Sequence, residues 1–179
     1  MKLDKLANSK NDEFYTPEYA IIPLLKYLKP KSIIWCPFDL LDSNYVKCLQ
    51  GNGHTVIATH LKNDEDFFTI KTPKCDYIIS NPPYSCKFEV FEKLFSLGIP
   101  FAMLVGLSGL FESKKRFQLF KENIFEIMYF NLRVSYTNIE GNICKSINPP
   151  FPSVYVCSNL LPKQIVFETI NKTKPTNKK

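Results

Sequence analysis

The chain has 179 residues, 45% of them apolar and 14% aromatic, enough for one globular domain with a sizeable core and too few for a second. Its net charge of +6 favours anionic partners, and its longest apolar runs, such as 101–107, fall well short of a membrane span. Six cysteines (36, 48, 75, 86, 144 and 157) form no Cys-x-x-Cys pair, and no histidine stands at zinc-ligand spacing. Without a signal-peptide core either, they read as reduced thiols of a cytoplasmic protein with no metal and no membrane anchor.

Short β-rich runs alternate with longer amphipathic ones, the pattern of a mostly parallel α/β sheet. Lys2, Lys5 and Lys10 open the chain, and residues 17–28 are predicted helical, with Thr16 as N-cap and Pro17 in the first position. A strand is expected at 32–35, a helix at 43–49 ending on Gly51-Asn52-Gly53, and a strand at 54–60. Residues 76–80 form the third strand, 88–97 a helix stopped by Gly98, 101–105 a strand, and 113–122 a helix carrying Lys114, Lys115 and Arg116. Strands at 125–130 and 154–160 flank a segment expected to be irregular, and 165–167 is a further short strand. Residues 1–170 read as a single domain, and 171–179, with Lys172, Lys174, Lys178 and Lys179, as a basic disordered tail.

The most informative stretch is Asp76-Tyr77-Ile78-Ile79-Ser80-Asn81-Pro82-Pro83-Tyr84. An apolar strand runs into two prolines, which fix φ and remove two amide donors, so the strand stops at Asn81. An Asn side-chain oxygen beside a proline carbonyl can accept both hydrogens of a planar amino group, and Tyr84 offers a face for stacking. The tetrapeptide recurs as Asn148-Pro149-Pro150-Phe151, but residues 141–147 before it show no strand-like run, so 148–152 reads as a loop. In open α/β sheets ligands sit at the carboxyl ends of strands, where Cys36-Pro37-Phe38-Asp39, His60 and 81–84 all fall.

The motif Asn81-Pro82-Pro83-Tyr84 resembles that of S-adenosylmethionine-dependent amino-methyltransferases, in particular small phage-like and bacterial N6-adenine methyltransferases. The resemblance extends over roughly residues 13–160. It implies a Rossmann-like class I methyltransferase fold, α/β, with about seven strands and helices on both faces. Phe14-Tyr15-Thr16-Pro17 is similar to the segment lying against the methionine part of the cofactor, and Cys36-Pro37-Phe38-Asp39 to the loop after the first strand, with Asp39 or Asp42 available to the α-amino group. His60 stands where the family often places an acid on the ribose; as neutral imidazole it is expected to accept a ribose hydrogen bond. Asp66 and Phe67 resemble the acidic-aromatic element that receives the adenine amino group and covers the ring. Ser108 and Arg116 match small-polar and arginine positions after the fifth strand, and Arg133 and Tyr136 fall near substrate-contacting positions. The family's glycine-rich cofactor turn is replaced here by a glycine-free loop, 35–43.

The implied activity is methyl transfer to an exocyclic amine of a nucleobase, adenine N6 in DNA or RNA first. The target base would be flipped or single-stranded, and no metal is needed. Only about 20 residues between Asn131 and Pro150 are available for target recognition, so sequence specificity is expected to be modest or supplied by a partner subunit. Two alternatives stand beside it: a catalytically degenerate fold that binds nucleic acid or a partner, and a protein glutamine N5-methyltransferase.

Overall fold

The computed structural model describes residues 15–140 and 143–172. Phe14, Lys2, Lys5, Lys10, the Gly141-Asn142 pair and the tail lysines 174, 178 and 179 lie outside the described residues.

In chain order the elements are α1 (Glu18–Leu25), β1 (Ile33–Cys36), α2 (Asn44–Gly51), β2 (Thr55–Ala58), β3 (Tyr77–Ser80), α3 (Lys87–Leu97), β4 (Phe101–Gly106), α4 (Lys114–Glu122), β5 (Glu126–Phe130), β6 (Tyr136–Glu140), β7 (Ile143–Ile147), β8 (Ser153–Ser158) and β9 (Ile165–Glu168). Seven strands form one sheet in the order β2-β1-β3-β4-β8-β5-β9. All neighbouring pairs are parallel except those of β8, which is antiparallel to both β4 and β5. The architecture is the mostly parallel, Rossmann-like α/β sheet expected from the sequence.

Burial explains the strand composition. The central strands are covered on both faces and so read as continuous apolar runs. Ile34, Cys36, Tyr77 and Ile79 face α1 and α2, where Ala20, Ile21, Leu24, Tyr45 and Leu49 complete one core layer. Trp35, Ile78, Met103 and Val105 face the other way, against Val90, Phe91 and Leu94 of α3 and Phe120 of α4. Ser43 Oγ caps α2 by accepting from Val46 N at 3.2 Å, and Ser113 Oγ caps α4 by accepting from Arg116 N at 3.2 Å. Gly98, at φ 64°, closes α3 in the left-handed conformation.

Two local expectations are corrected. Thr16 does not cap α1: the N-cap is Pro17, which has no side-chain oxygen, and the Thr16 hydroxyl is engaged elsewhere. The segment expected to be irregular holds the antiparallel hairpin β6–β7, registered from Tyr136↔Ile147 to Glu140↔Ile143. Its signal is slight, because only the Gly141-Asn142 pair marks a hairpin connection and the flanking runs mix polar and apolar residues. The hairpin docks back on the start of the described chain: Tyr15 N donates to Thr137 O at 2.8 Å and Thr137 N to Tyr15 O at 3.2 Å. No helix among the described residues is long and apolar enough to cross a membrane.

Candidate active site

From β1 the chain moves outward to β2, then returns to place β3 on the other side of β1. Loops leaving the carboxyl ends of β1 and β3 therefore diverge, opening a crevice at this switch point. A cavity of about 460 Å³ fills it. Its wall comes from Tyr15 and Thr16 before α1, Phe38 and Asp39 after β1, the start of α2, His60 after β2, and Asn81, Pro82, Pro83 and Tyr84 after β3.

Asn81 is held at one end only. Its Nδ2 donates to Thr16 Oγ1 at 3.3 Å, while its Oδ1 is buried with no hydrogen-bond partner. Leaving a buried acceptor unsatisfied costs about 1–3 kcal/mol, so a donor brought to this oxygen would be held favourably. Pro82 and Pro83 bring no amide hydrogen to the turn, so nothing in those two residues competes for that oxygen. Thr16 is itself fixed, its carbonyl accepting from Asn44 Nδ2 at 2.8 Å.

Tyr84 opens a short 3₁₀ turn, Tyr84–Cys86, that leads into α3. Its ring meets Phe151 edge to face, with centroids 6.1 Å apart and planes at 68°. Its phenol faces that of Tyr136, whose hydroxyl donates to Ser153 Oγ at 2.9 Å. Burial first, and then the neighbouring Tyr84 phenol, push the Tyr136 hydroxyl well above its ordinary range. Phe151 belongs to the second Asn-Pro-Pro-aromatic copy, so tertiary structure brings the two copies face to face. The contact requires glycine at 106, where a Cβ would stand 2.4 Å from the Phe151 ring. Beside it, Lys87 Nζ donates to Gly106 O at 3.2 Å and Ser108 O at 3.3 Å. Burial, then the nearby Arg116, lower its amine to about 8, against a smaller opposing effect of Glu112.

Asp39 accepts a short hydrogen bond from Ser80 Oγ. Burial pushes its carboxyl up to about 6, with hydrogen bonds from Ser80 and Ser43 pulling the other way. His60 Nδ1 accepts from Lys62 N at 3.1 Å. That bond occupies the Nδ1 lone pair at the head of the 3₁₀ turn Leu61–Asn63.

Of the residues singled out in the sequence, Tyr15, Thr16, Phe38, Asp39, His60 and 81–84 converge on the cavity, as does Asp42. Pro17, Cys36, Pro37, Asp66 and Phe67 do not line it. Pro17 begins α1, and Cys36 is fully buried at the end of β1, where burial holds its thiol well above the usual range. Pro37 is buried beside it. Phe67 is core: only 2% exposed, it packs on Trp35 and Phe38 with ring centroids 5.5 and 4.9 Å away. Asp66 stabilises its own loop, Oδ1 accepting from Phe68 N at 2.9 Å. Arg116 clasps the loop after β4, Nη1 donating to Gly109 O at 2.6 Å, and Arg133 is exposed beyond β5. Reading the sequence missed Asn44, Tyr45, Lys87 and Phe151. Asn44, Tyr45 and Lys87 belong to no motif, and Phe151, in the second Asn-Pro-Pro-aromatic copy, stands in a segment read as a loop.

No protein-family model matches the chain, and no curated protein is similar to it. Among solved structures, precorrin-6y C5,15-methyltransferase from Geobacter metallireducens GS-15 is 12% identical, with 85% of this chain and 97% of that one covered, at a TM-score of 0.41. The tRNA (m1A58) methyltransferase TrmI from Aquifex aeolicus is also 12% identical, with 91% of this chain and 77% of that one covered, at a TM-score of 0.44. Both likenesses are distant ones.

Proposed function

We propose that this chain transfers a methyl group from S-adenosylmethionine to an exocyclic amine of a nucleobase, adenine N6 of DNA or RNA before others. The observation that carries the reading is the partnerless, buried Oδ1 of Asn81, fixed by Thr16 beside two donor-free prolines and the Tyr84 ring. A planar amine supplies what that oxygen lacks.

The cavity's donors and acceptors fit the cofactor. Asp39, a carboxylate above pH 6, is suited to an α-ammonium; His60, at the end of β2, stands on the side a ribose would take; Tyr15, Thr16 and Phe38 give the wall a mixed polar and aromatic surface. When bound, the cofactor supplies an electrophilic methyl carbon. The protein's part is orientation: Asn81 Oδ1 and the adjacent backbone hold the amine hydrogens in place, so that the nitrogen lone pair turns out of ring conjugation. Tyr84, braced edge-on by Phe151 and through its phenol by Tyr136, fixes the plane of the base.

The test is transfer of labelled methyl groups to single-stranded DNA and RNA oligonucleotides containing adenine, with the Asn81→Ala variant as control. The variant should lose activity on the order of a hundredfold or more while keeping its circular dichroism spectrum. Full activity in Asn81→Ala overturns the mechanism, and labelling of peptide glutamine instead of oligonucleotide would change the substrate. One observation favours a cofactor-free binding module: the loop after β1 has no glycine, and its Asp39 is already satisfied by Ser80 and Ser43. Calorimetric titration with S-adenosylmethionine separates the two, because only the enzyme must bind it and only the enzyme must lose that binding in Asp39→Ala.

A further inference from the structure

We propose that two copies of this chain pair through the outer edge of β9, joining their seven-stranded sheets into one. β9 is parallel to β5, with Ile127↔Ile165 and Tyr129↔Phe167 in register. Ile127 N donates to Gln164 O at 2.7 Å and Asn131 N to Glu168 O at 3.1 Å. Strand alternation therefore turns the backbone of 164, 166 and 168 inward to β5, and that of Ile165 and Phe167 outward. β9 is the last strand of the sheet, so among the described residues those outward groups face an unpaired edge.

The side chains at the same two positions are the exposed ones. Phe167 is 78% exposed and Ile165 54%, on the face where Ile127 and Tyr129 are only partly covered. Edge strands are ordinarily blunted by a lysine, a proline or a bulge. Residues 165–167 carry none of these, and among the described residues the chain does not double back over them: past the strand, Ile170 N turns in to Asn131 Oδ1 at 2.8 Å.

The strand also specifies its occupant. An antiparallel two-fold axis through Val166 sets Ile165 opposite Phe167 of the second copy, and Phe167 opposite its Ile165. Both members of each pair have outward backbones, so the ladder closes on itself, and each pair joins an aromatic to a β-branched side chain, a favourable cross-strand combination. No like charges oppose in this register: Gln164 meets Glu168, and Lys163 meets Thr169. The two-fold axis reverses strand direction, so the two cavities open at opposite ends of the joined sheet and hold their substrates independently.

The test uses the full chain in sedimentation velocity over about 1–100 µM, where mass action makes association visible. The wild type should approach twice its 20.7 kDa mass with concentration, and Phe167→Lys should stay monomeric. Ile165→Lys is a second, independent variant; both positions are exposed, and circular dichroism checks that each remains folded. Amide exchange gives the decisive readout, with Ile165 and Phe167 protected only at high concentration and Val166 protected at both. A wild type that is monomeric throughout, a dimer that survives both variants, or a dimer with unprotected 165 and 167 amides overturns the proposal.

Discussion

Asp39 links the cavity to pH. Its carboxyl titrates near 6 in the folded chain, above the ordinary 3.8, so between those values the folded state binds more protons than the unfolded one. Stability from this group is therefore present at low pH and is lost as pH rises through 6. Asp39→Asn should raise stability at pH 7 by on the order of 2–3 kcal/mol and flatten that part of the profile, as read by urea unfolding at pH 5 and pH 7. If an α-ammonium does sit against this carboxylate, its affinity rises over the same interval, so stability and ligand affinity should move in opposite directions with pH. Gly106→Ala drives a methyl group into the Phe151 ring and disturbs its edge-on contact with Tyr84. The expected cost is about 1–3 kcal/mol of stability, together with a lower kcat in the oligonucleotide assay.

The elements differ in how plainly the chain announces them. Strands β1, β3, β4 and β8 are covered on both faces and were legible as unbroken apolar runs; α3 and α4 were legible from their spacing and from Gly98 and Ser113. The hairpin β6–β7 was not, because its pairing partner is itself and its docking partner is the distant Tyr15. Among the candidate residues, those on tight turns at strand ends line one cavity, and they were legible because turn chemistry is local. Phe67 was misplaced because order along the chain does not say which aromatic turns inward, and Phe151 was passed over because its meaning lies wholly in its contact with Tyr84 and Gly106. At this scale α3 bears most on the site, since it begins where the 3₁₀ turn of Tyr84 ends. Phe91, 1% exposed, is its central anchor, ringed by Phe95, Phe101 and Phe120 at 5.3–6.3 Å. Phe91→Ala should cost about 3–5 kcal/mol, measured by denaturant unfolding.

For the whole molecule, the cavity forms where strand order reverses, so it belongs to the topology before it belongs to any residue. Ligand binding to the folded state alone stabilises it by mass action, about 2.7 kcal/mol at a concentration a hundred times Kd. S-adenosylmethionine should therefore raise the unfolding temperature of the wild type and not of Asp39→Ala; an equal rise in both would detach the cofactor from this cavity. The wall built by Tyr15 and Thr16 is held in place by the start of the hairpin, through the Tyr15–Thr137 bridge and the Tyr19–Ser135 bonds, across 116 residues for the latter pair. Contacts so far apart in the chain are slow to form, and during synthesis they must wait for their second half. A nascent chain halted after β4 carries the whole 81–84 turn yet lacks the strand that pins Tyr15. Capture of ligand by ribosome-bound chains should thus begin only once the stretch beyond Thr137 has emerged, making the pocket itself a marker of completed folding.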